Sequence, residues 1–249
     1  MSWHSLPPDQ RACLHSLYDG YLYLHGCVAA VLEGGMGTAL VDDVQSPTAA
    51  CLHFDIFCLF AGRPAAVDAV PAIKGSLIGP TPWPALFRRL PGVSARPYPR
   101  IALQAGAWDR PHLQRLAARV PEGFEVRLIT AAEIDRFAAY DNGGLVSNFP
   151  SPAVFLRDAL GFGVFHGERL VAGCSTYGMG GGKLEIEIQT HLDFRRRGLA
   201  TAVAAAFIEH CLDAGLEPCW DAANEESAAL AGKLGYVEPT PYDTYWYEP

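Results

Sequence analysis

The sequence predicts a mixed α/β protein, and three observations carry that expectation. Lys183–Thr190 alternates Leu and Ile with Glu and Gln, the period of two of a half-buried strand. Behind it, a run of small and apolar residues from Gly198 to Ala214 sets Leu199, Val203, Phe207 and Cys211 on one helical stripe and stops at Gly215. Elsewhere, short apolar runs bounded by Gly and Pro alternate with helical stretches. The 249 residues, half of them hydrophobic, suffice for one large or two ordinary domains with a buried core, so disorder is excluded as the main state. The turn Pro121-Glu122-Gly123 divides an N-terminal α/β domain, residues 1–120, from a cleaner mixed-sheet domain over 121–249.

In the first half, residues 8–33 read as helical, interrupted by Gly20 and Gly26. Thr38–Asp42 and His53–Ala61 read as strands. Punctuated helices near 64–74 and 82–90 precede a strand at Pro99–Gln104 and a helix at 109–119. In the second half, Phe124–Ile129 is a strand, and Thr130 with Glu133 makes a capping box for a helix running to about Tyr140. A loop, Asp141–Pro152, leads to a short helix near 153–160. Phe162–His166 and Arg169–Tyr177 then flank Gly167-Glu168 as a hairpin. After the alternating strand and the long helix come a strand at Cys219–Ala222, a helix at Asn224–Leu234 ended by Gly235, and an aromatic tail, Tyr236–Tyr247, of one or two strands.

Charge and composition narrow the function. With 27 acidic and 19 basic residues the net charge is −8, and there is no basic tail, which argues against a general nucleic-acid binder. An anion site in such a molecule needs locally concentrated cations. The seven cysteines are odd in number and scattered, with no CxxC pair, and the eight histidines show no ligand spacing; free thiols and no metal are expected. The N-terminus lacks a basic segment followed by an apolar one, and no apolar run approaches ~20 residues, so a cytoplasmic protein without membrane association is expected.

The segment that carries chemistry is Thr190-His191-Leu192-Asp193-Phe194-Arg195-Arg196-Arg197-Gly198-Leu199-Ala200-Thr201. A strand enters a turn of three arginines, then a glycine, then a helix of small residues. A helix N-terminus exposes N–H groups and about half a positive charge, small residues let an anion approach the backbone, and arginines add charge-assisted hydrogen bonds. A phosphate or pyrophosphate seat follows, the alternative being a solvated basic turn. No Gly-Lys-Ser/Thr follows, so it is not a Walker A loop.

Here the sequence resembles the GNAT N-acetyltransferase superfamily. Arg195-x-x-Gly198-x-Ala200 matches its acyl-CoA signature, and Asn224 with Lys233-Leu234-Gly235-Tyr236 matches the expected Asn and the helix ending in Gly-Tyr. The likeness covers about 123–249, within a bacterial subgroup that carries an N-terminal extension. It implies a GNAT fold in the second half, with acetyl-CoA as cosubstrate. The pyrophosphate would sit on the backbone from Arg196 to Thr201, assisted by Arg195, Arg196 and Arg197 and passing Gly198, Leu199 and Ala200. The pantetheine arm would lie along Ile188, Gln189 and Thr190, in a gap between this strand and Cys219–Ala222, with Asn224 touching the pantetheine or adenosine.

The resemblance also implies a carboxylate base on the alternating strand. Glu187 is favoured and Glu185 is second, both on one face by the period of two; the alternative is that both decorate a polar face. The family's usual acid, a Tyr seven residues beyond the Asn, falls on Ala231. His191 reads as a turn residue or cap rather than a proton relay, Trp220 as core, Asp221 as an amine ligand or a cap, and Cys174 and Cys219 as buried thiols. The order of elements in residues 1–120 suggests a degenerate half-copy of the same fold. The function expected is acetyl transfer to a primary amine of a small molecule or exposed amino group, in a ternary complex; a homodimer is compatible with it. The rival readings are a non-catalytic acyl-CoA sensor on the same scaffold and an enzyme using a longer acyl or aminoacyl donor.

Overall fold

The computed structural model describes residues 3–67, 69–140 and 144–249. Residues 141–143 of the expected loop, and 68 within the expected 64–74 helix, lie outside the described residues. Two sheets form the scaffold. The first has eight strands in the spatial order β1 (His4–Leu6), β2 (Thr38–Val41), β3 (Ala49–Phe54), β4 (Phe57–Gly62), β5 (Gly75–Ile78), β13 (Tyr236–Tyr247), β6 (Tyr98–Ala105) and β12 (Asp221–Ala222). The second runs β11 (Glu217–Cys219), β10 (Lys183–Thr190), β9 (Arg169–Gly180), β8 (Gly161–His166) and β7 (Phe124–Leu128).

Seven α-helices among the described residues connect them: α1 (His25–Leu32), α2 (Trp83–Phe87), α3 (Arg110–Ala117), α4 (Ile134–Ala138), α5 (Pro152–Asp158), α6 (Leu199–Asp213) and α7 (Glu225–Leu234). Leu199, Val203, Phe207 and Cys211 of α6 are all buried, as the spacing predicts, and Ala202, Ala204, Ala205 and Ile208 beside them widen the buried face. They pack with Leu184, Val171 and Cys174 of the five-stranded sheet and with Leu113 and Leu116 of α3. Thr130 and Glu133 make half of the expected capping box: Thr130 N donates to Glu133 Oε2 (3.1 Å), but Thr130 Oγ1 donates to the same oxygen (2.6 Å) and does not accept from Glu133 N. The helix α4 starts later and is shorter than the pattern suggests.

The halves repeat one topology. In the second, β7 to β10 pair antiparallel in succession and β10 pairs parallel with β11; α7 and β13 follow. In the first, β1 to β4 pair antiparallel, β4 pairs parallel with β5, and α2 and β6 follow. Their last strands are exchanged. β13 is hydrogen-bonded to β5 of the first half, β6 is hydrogen-bonded to β12 of the second, and β13 and β6 pair with each other. A boundary at 120 places β6 and α3 in the first half, yet β6 pairs with β12 and β13, both from the second half, and α3 packs on α6.

The first half holds the larger departures from the sequence pattern. Residues 8–33 divide into a 3-10 helix, Pro8–Leu17, and α1, with Gly20 (φ +68°) and Leu24 (φ +47°) left-handed between them. His53–Ala61 is two strands rather than one, because Asp55 (φ +50°) reverses the chain. The helix expected near 64–74 is a three-residue 3-10 turn, Pro64–Ala66, and β5 follows unforeseen. All four residues of β5 are buried, so it carries no alternation to read. Cys219–Ala222 breaks at Trp220 into β11 and β12, which join different sheets. Among the described residues no helix is long and apolar enough to cross a membrane.

Candidate active site

The turn after β10 is wound by two left-handed residues, Arg196 (φ +60°) and Gly198 (φ +80°), and anchored by its own arginines. Arg195 Nε donates to Thr190 O (3.3 Å), and Arg197 Nη2 donates to Asp193 O (3.2 Å). Among the described residues no side chain caps α6, and the first bond back to its start is Ala202 N to Gly198 O (3.1 Å). The N–H groups of Leu199, Ala200 and Thr201 thus have no partner within the helix and point toward the turn. His191 is a cap: its Nδ1 faces Asp193 N at 3.3 Å, at the start of the short turn Leu192–Phe194. The sequence reading missed Arg169. Its guanidinium and that of Arg197 flank the Phe194 ring at 5.2 and 5.3 Å, and its Nη2 meets His191 Nε2 at 2.9 Å. It starts β9, some 25 residues from the arginine run, so only the β9–β10 pairing brings it there.

From this turn a cleft leads inward between the sheets. β10 and β11 pair only from Lys183↔Glu217 to Glu185↔Cys219. Beyond Trp220 the chain turns away to pair with β6, and among the described residues the edge of Ile186–Thr190 has no neighbouring strand on that side. Leu184, Ile186 and Ile188 face the α6 core, so Glu185, Glu187 and Gln189 share the opposite face. Glu187 is half-buried and accepts a hydrogen bond from Gln189 Nε2 (3.1 Å). Gln189 Oε1 is buried with no hydrogen-bond partner among the described residues. Across the cleft, Asn224 Oδ1 caps α7 by accepting from Ser227 N (2.9 Å), and buried Trp220 donates to Ser227 Oγ (3.0 Å).

Glu185 differs sharply from Glu187. It is 2 % exposed, with Oε1 accepting from Asp221 N (2.9 Å) and Oε2 from Gly26 N (3.0 Å). Burial, with the Asp221 charge adding to it, pushes its carboxyl from 4.5 up to about 8. Asp221 is itself enclosed. Its Oδ1 accepts from Arg100 Nε (2.8 Å), both oxygens accept from Tyr242 OH (2.9 Å each), and Leu24 N donates to Oδ2 (3.4 Å). Burial raises the Asp221 carboxyl, with Arg100 opposing; burial works against the Arg100 charge, but Asp221 outweighs it and holds the guanidinium charged. Asp221 therefore neither caps α7 nor faces an open cleft.

The candidate acids are equally constrained. Ala231 is fully buried, and Tyr236 OH donates to Pro218 O (2.9 Å) inside the core. Burial raises the thiols of Cys174 and Cys219 well above the ordinary range, which suits packing and not nucleophilic attack. Among the described residues no group of three His, Cys, Asp or Glu could hold a metal ion.

Comparison with known proteins matches this architecture. A family model described as GNAT acetyltransferase matches residues 23–245. A GCN5-related N-acetyltransferase-like protein from Streptococcus suis 89/1591 is 31 % identical, with a TM-score of 0.82 over 96 % of this chain and 98 % of that one. The Bacillus subtilis (strain 168) protein described as uncharacterized N-acetyltransferase YdfB is 32 % identical over 130 residues, which are 51 % of this chain and 50 % of that protein; the chain thus matches half the length of this curated relative. A tandem GNAT protein from the clavulanic acid biosynthesis pathway, 14 % identical with a TM-score of 0.60, covers 98 % of this chain and shares the fold. The family match over both halves, with the Streptococcus suis relative at 31 % identity across nearly its whole length, shows that the chain belongs to the GNAT acetyltransferase family.

Proposed function

We propose that this acetyltransferase takes its acetyl group from acetyl-CoA and transfers it to a primary amine by direct attack in a ternary complex. One observation carries the reading: an uncapped helix N-terminus flanked by Arg195, Arg196 and Arg197 opens onto the free edge of β10. The N–H groups of Leu199, Ala200 and Thr201, with the arginines, supply charge-assisted donors for the pyrophosphate. Ile188, Gln189 and Thr190 supply backbone groups for the amides of the pantetheine arm, and N–H groups nearer the cleft's inner end polarise the thioester carbonyl. Asn224 keeps its amide NH2 for the pantetheine side, its oxygen being occupied by the α7 cap.

Glu187 is the base in this reading. An amine of pKa ≈ 10.4 is about 3.4 units from neutral at pH 7, roughly 4.6 kcal/mol, so a carboxylate that takes its proton directly or through water aids attack. Glu185 is enclosed, 2 % exposed with both oxygens accepting from backbone N–H groups, so an acceptor amine cannot reach it. The CoA thiolate, from a thiol of pKa near 8.5, departs without a dedicated acid. The seven free cysteines, six of them buried, suit a reducing cytoplasm. Isothermal titration with acetyl-CoA tests the reading, and absence of binding at millimolar ligand ends it. Glu187→Gln is expected to lower kcat without weakening acetyl-CoA binding; unchanged turnover moves the role elsewhere. The buried Ala231 where the family's Tyr acid stands favours a second reading, an acyl-CoA sensor. A free-thiol assay across antibiotics, polyamines, amino acids and peptides separates the two, since a sensor releases no thiol.

A further inference from the structure

At the inner end of the cleft, the bond that joins β10 to the departing chain runs through a side chain. The ladder ends at Glu185↔Cys219, and the next link is Asp221 N donating to Glu185 Oε1 (2.9 Å). The other oxygen of that carboxylate holds Gly26 N (3.0 Å) at the start of α1, which lies so close that a Cβ on Gly26 would stand 2.1 Å from Glu185 N. Asp221 is in turn fixed by Arg100 from β6, Tyr242 from β13 and Leu24 N. Elements of both halves therefore meet at the vertex of the opening.

We propose that Glu185 is a positioning residue: its carboxylate, bridging Asp221 N and Gly26 N where β10 leaves β11, sets the width of the cleft that receives the pantetheine arm. The inference rests on the acyl-CoA reading above. Both bridging partners are donors, so the bridge needs two acceptor oxygens and is complete with the carboxylate ionised. Protonation turns one of the two oxygens into a hydroxyl, a weaker acceptor that brings its own donor to the vertex. The groups facing Glu185 are Asp221 and Arg100, with Cys27 of α1, Cys219 of β11 and Tyr236 of β13; burial holds the thiols and the phenol neutral across the range of interest. The phosphate seat at Gly198 lies at the far end of β10 and does not depend on this bridge.

The test uses two probes on the full chain: acetyl-CoA, which needs the cleft, and adenosine 3′,5′-bisphosphate, which needs only the phosphate seat. In the wild-type chain acetyl-CoA is expected to bind several-fold tighter at pH 9 than at pH 7, with the bisphosphate unchanged. Glu185→Gln, which keeps one acceptor and sets an amide against an N–H, should weaken acetyl-CoA about tenfold at pH 9 and flatten its pH dependence. Tyr242→Phe, a milder variant that loosens Asp221 without changing shape, should weaken acetyl-CoA about threefold with bisphosphate affinity intact. Equal loss of both probes, or unchanged acetyl-CoA binding in Glu185→Gln and Tyr242→Phe, overturns the proposal and leaves the acyl-CoA reading standing. Absence of acetyl-CoA binding in the wild-type chain overturns both.

Discussion

Glu185 links folding to pH as well as shaping the cleft. Its carboxyl titrates near 4.5 when unfolded and about 8 when folded, so between these values the folded state holds a proton that the unfolded chain has released. Stability from this group is therefore complete below about pH 4.5 and is lost as pH rises toward 8, at up to about 1.4 kcal/mol per pH unit. His53 acts with the opposite sign, because burial lowers its pKa, but its effect ends near pH 6.5. Urea unfolding between pH 6.5 and 8 is expected to show falling stability in the wild-type chain and a clearly shallower fall in Glu185→Gln; parallel slopes would place the titration elsewhere. Gly26 beside it admits no side chain, since an added Cβ meets the backbone of β10 rather than a movable side chain. Gly26→Ala should lower stability by about 3 kcal/mol or more, at or beyond the upper end for overpacking, because α1 must lift off β10.

At the scale of elements, the β10–turn–α6 unit was legible because every level of its sequence agrees. Its strand alternates, its helix carries small and apolar residues on a broad buried face, and Gly198 stands where the chain needs a left-handed residue. Arg196 is the exception, a non-glycine residue at φ +60°, which costs about 1–2 kcal/mol. Arg196→Gly should relieve that strain while loosening the unfolded chain by about 0.5–1 kcal/mol. Thermal stability is therefore expected to change by a few degrees at most while acetyl-CoA binding weakens several-fold. A large loss of stability with unchanged binding would show that Arg196 serves the fold and not the ligand. What the sequence hid has physical reasons. β5 is buried on both faces and lacks a period, Arg169 reaches the site only through strand pairing, and the hydrogen bonds of Glu185 come from residues 36 and 159 positions away. Alternation placed Glu185 and Glu187 on one face correctly, but which of the two α1 covers is decided by tertiary packing.

At the scale of the molecule, two copies of one topology have diverged in the connection between their fourth and fifth strands. In the second half that connection holds the 15-residue α6, whose N-terminus is the proposed phosphate seat; in the first, among the described residues, it holds the 3-10 turn Pro64–Ala66 and no α-helix. The first half's own parting of β4 and β5 is filled by Trp83, fully buried and donating from Nε1 to Gly62 O (3.2 Å). The first half is thus built to support one site rather than to carry a second. Its support is structural in the strict sense, because the exchanged strands leave neither half complete. A fragment of residues 121–249 lacks β5 and β6, so β12 and β13 lose every strand they pair with. It also lacks Arg100, which leaves Asp221 without its cation at a penalty of about 3–5 kcal/mol if the carboxylate stays buried, and α1, which covers the β9–β10 face. Since a whole domain is stable by only about 5–15 kcal/mol, the fragment should show no cooperative thermal transition. Co-expressed with residues 1–120 it should co-purify and regain one, because β12 and β13 of one piece pair with β5 and β6 of the other in the shared eight-stranded sheet. A monomeric 121–249 fragment that melts cooperatively would show that the exchange of β6 and β13 is dispensable.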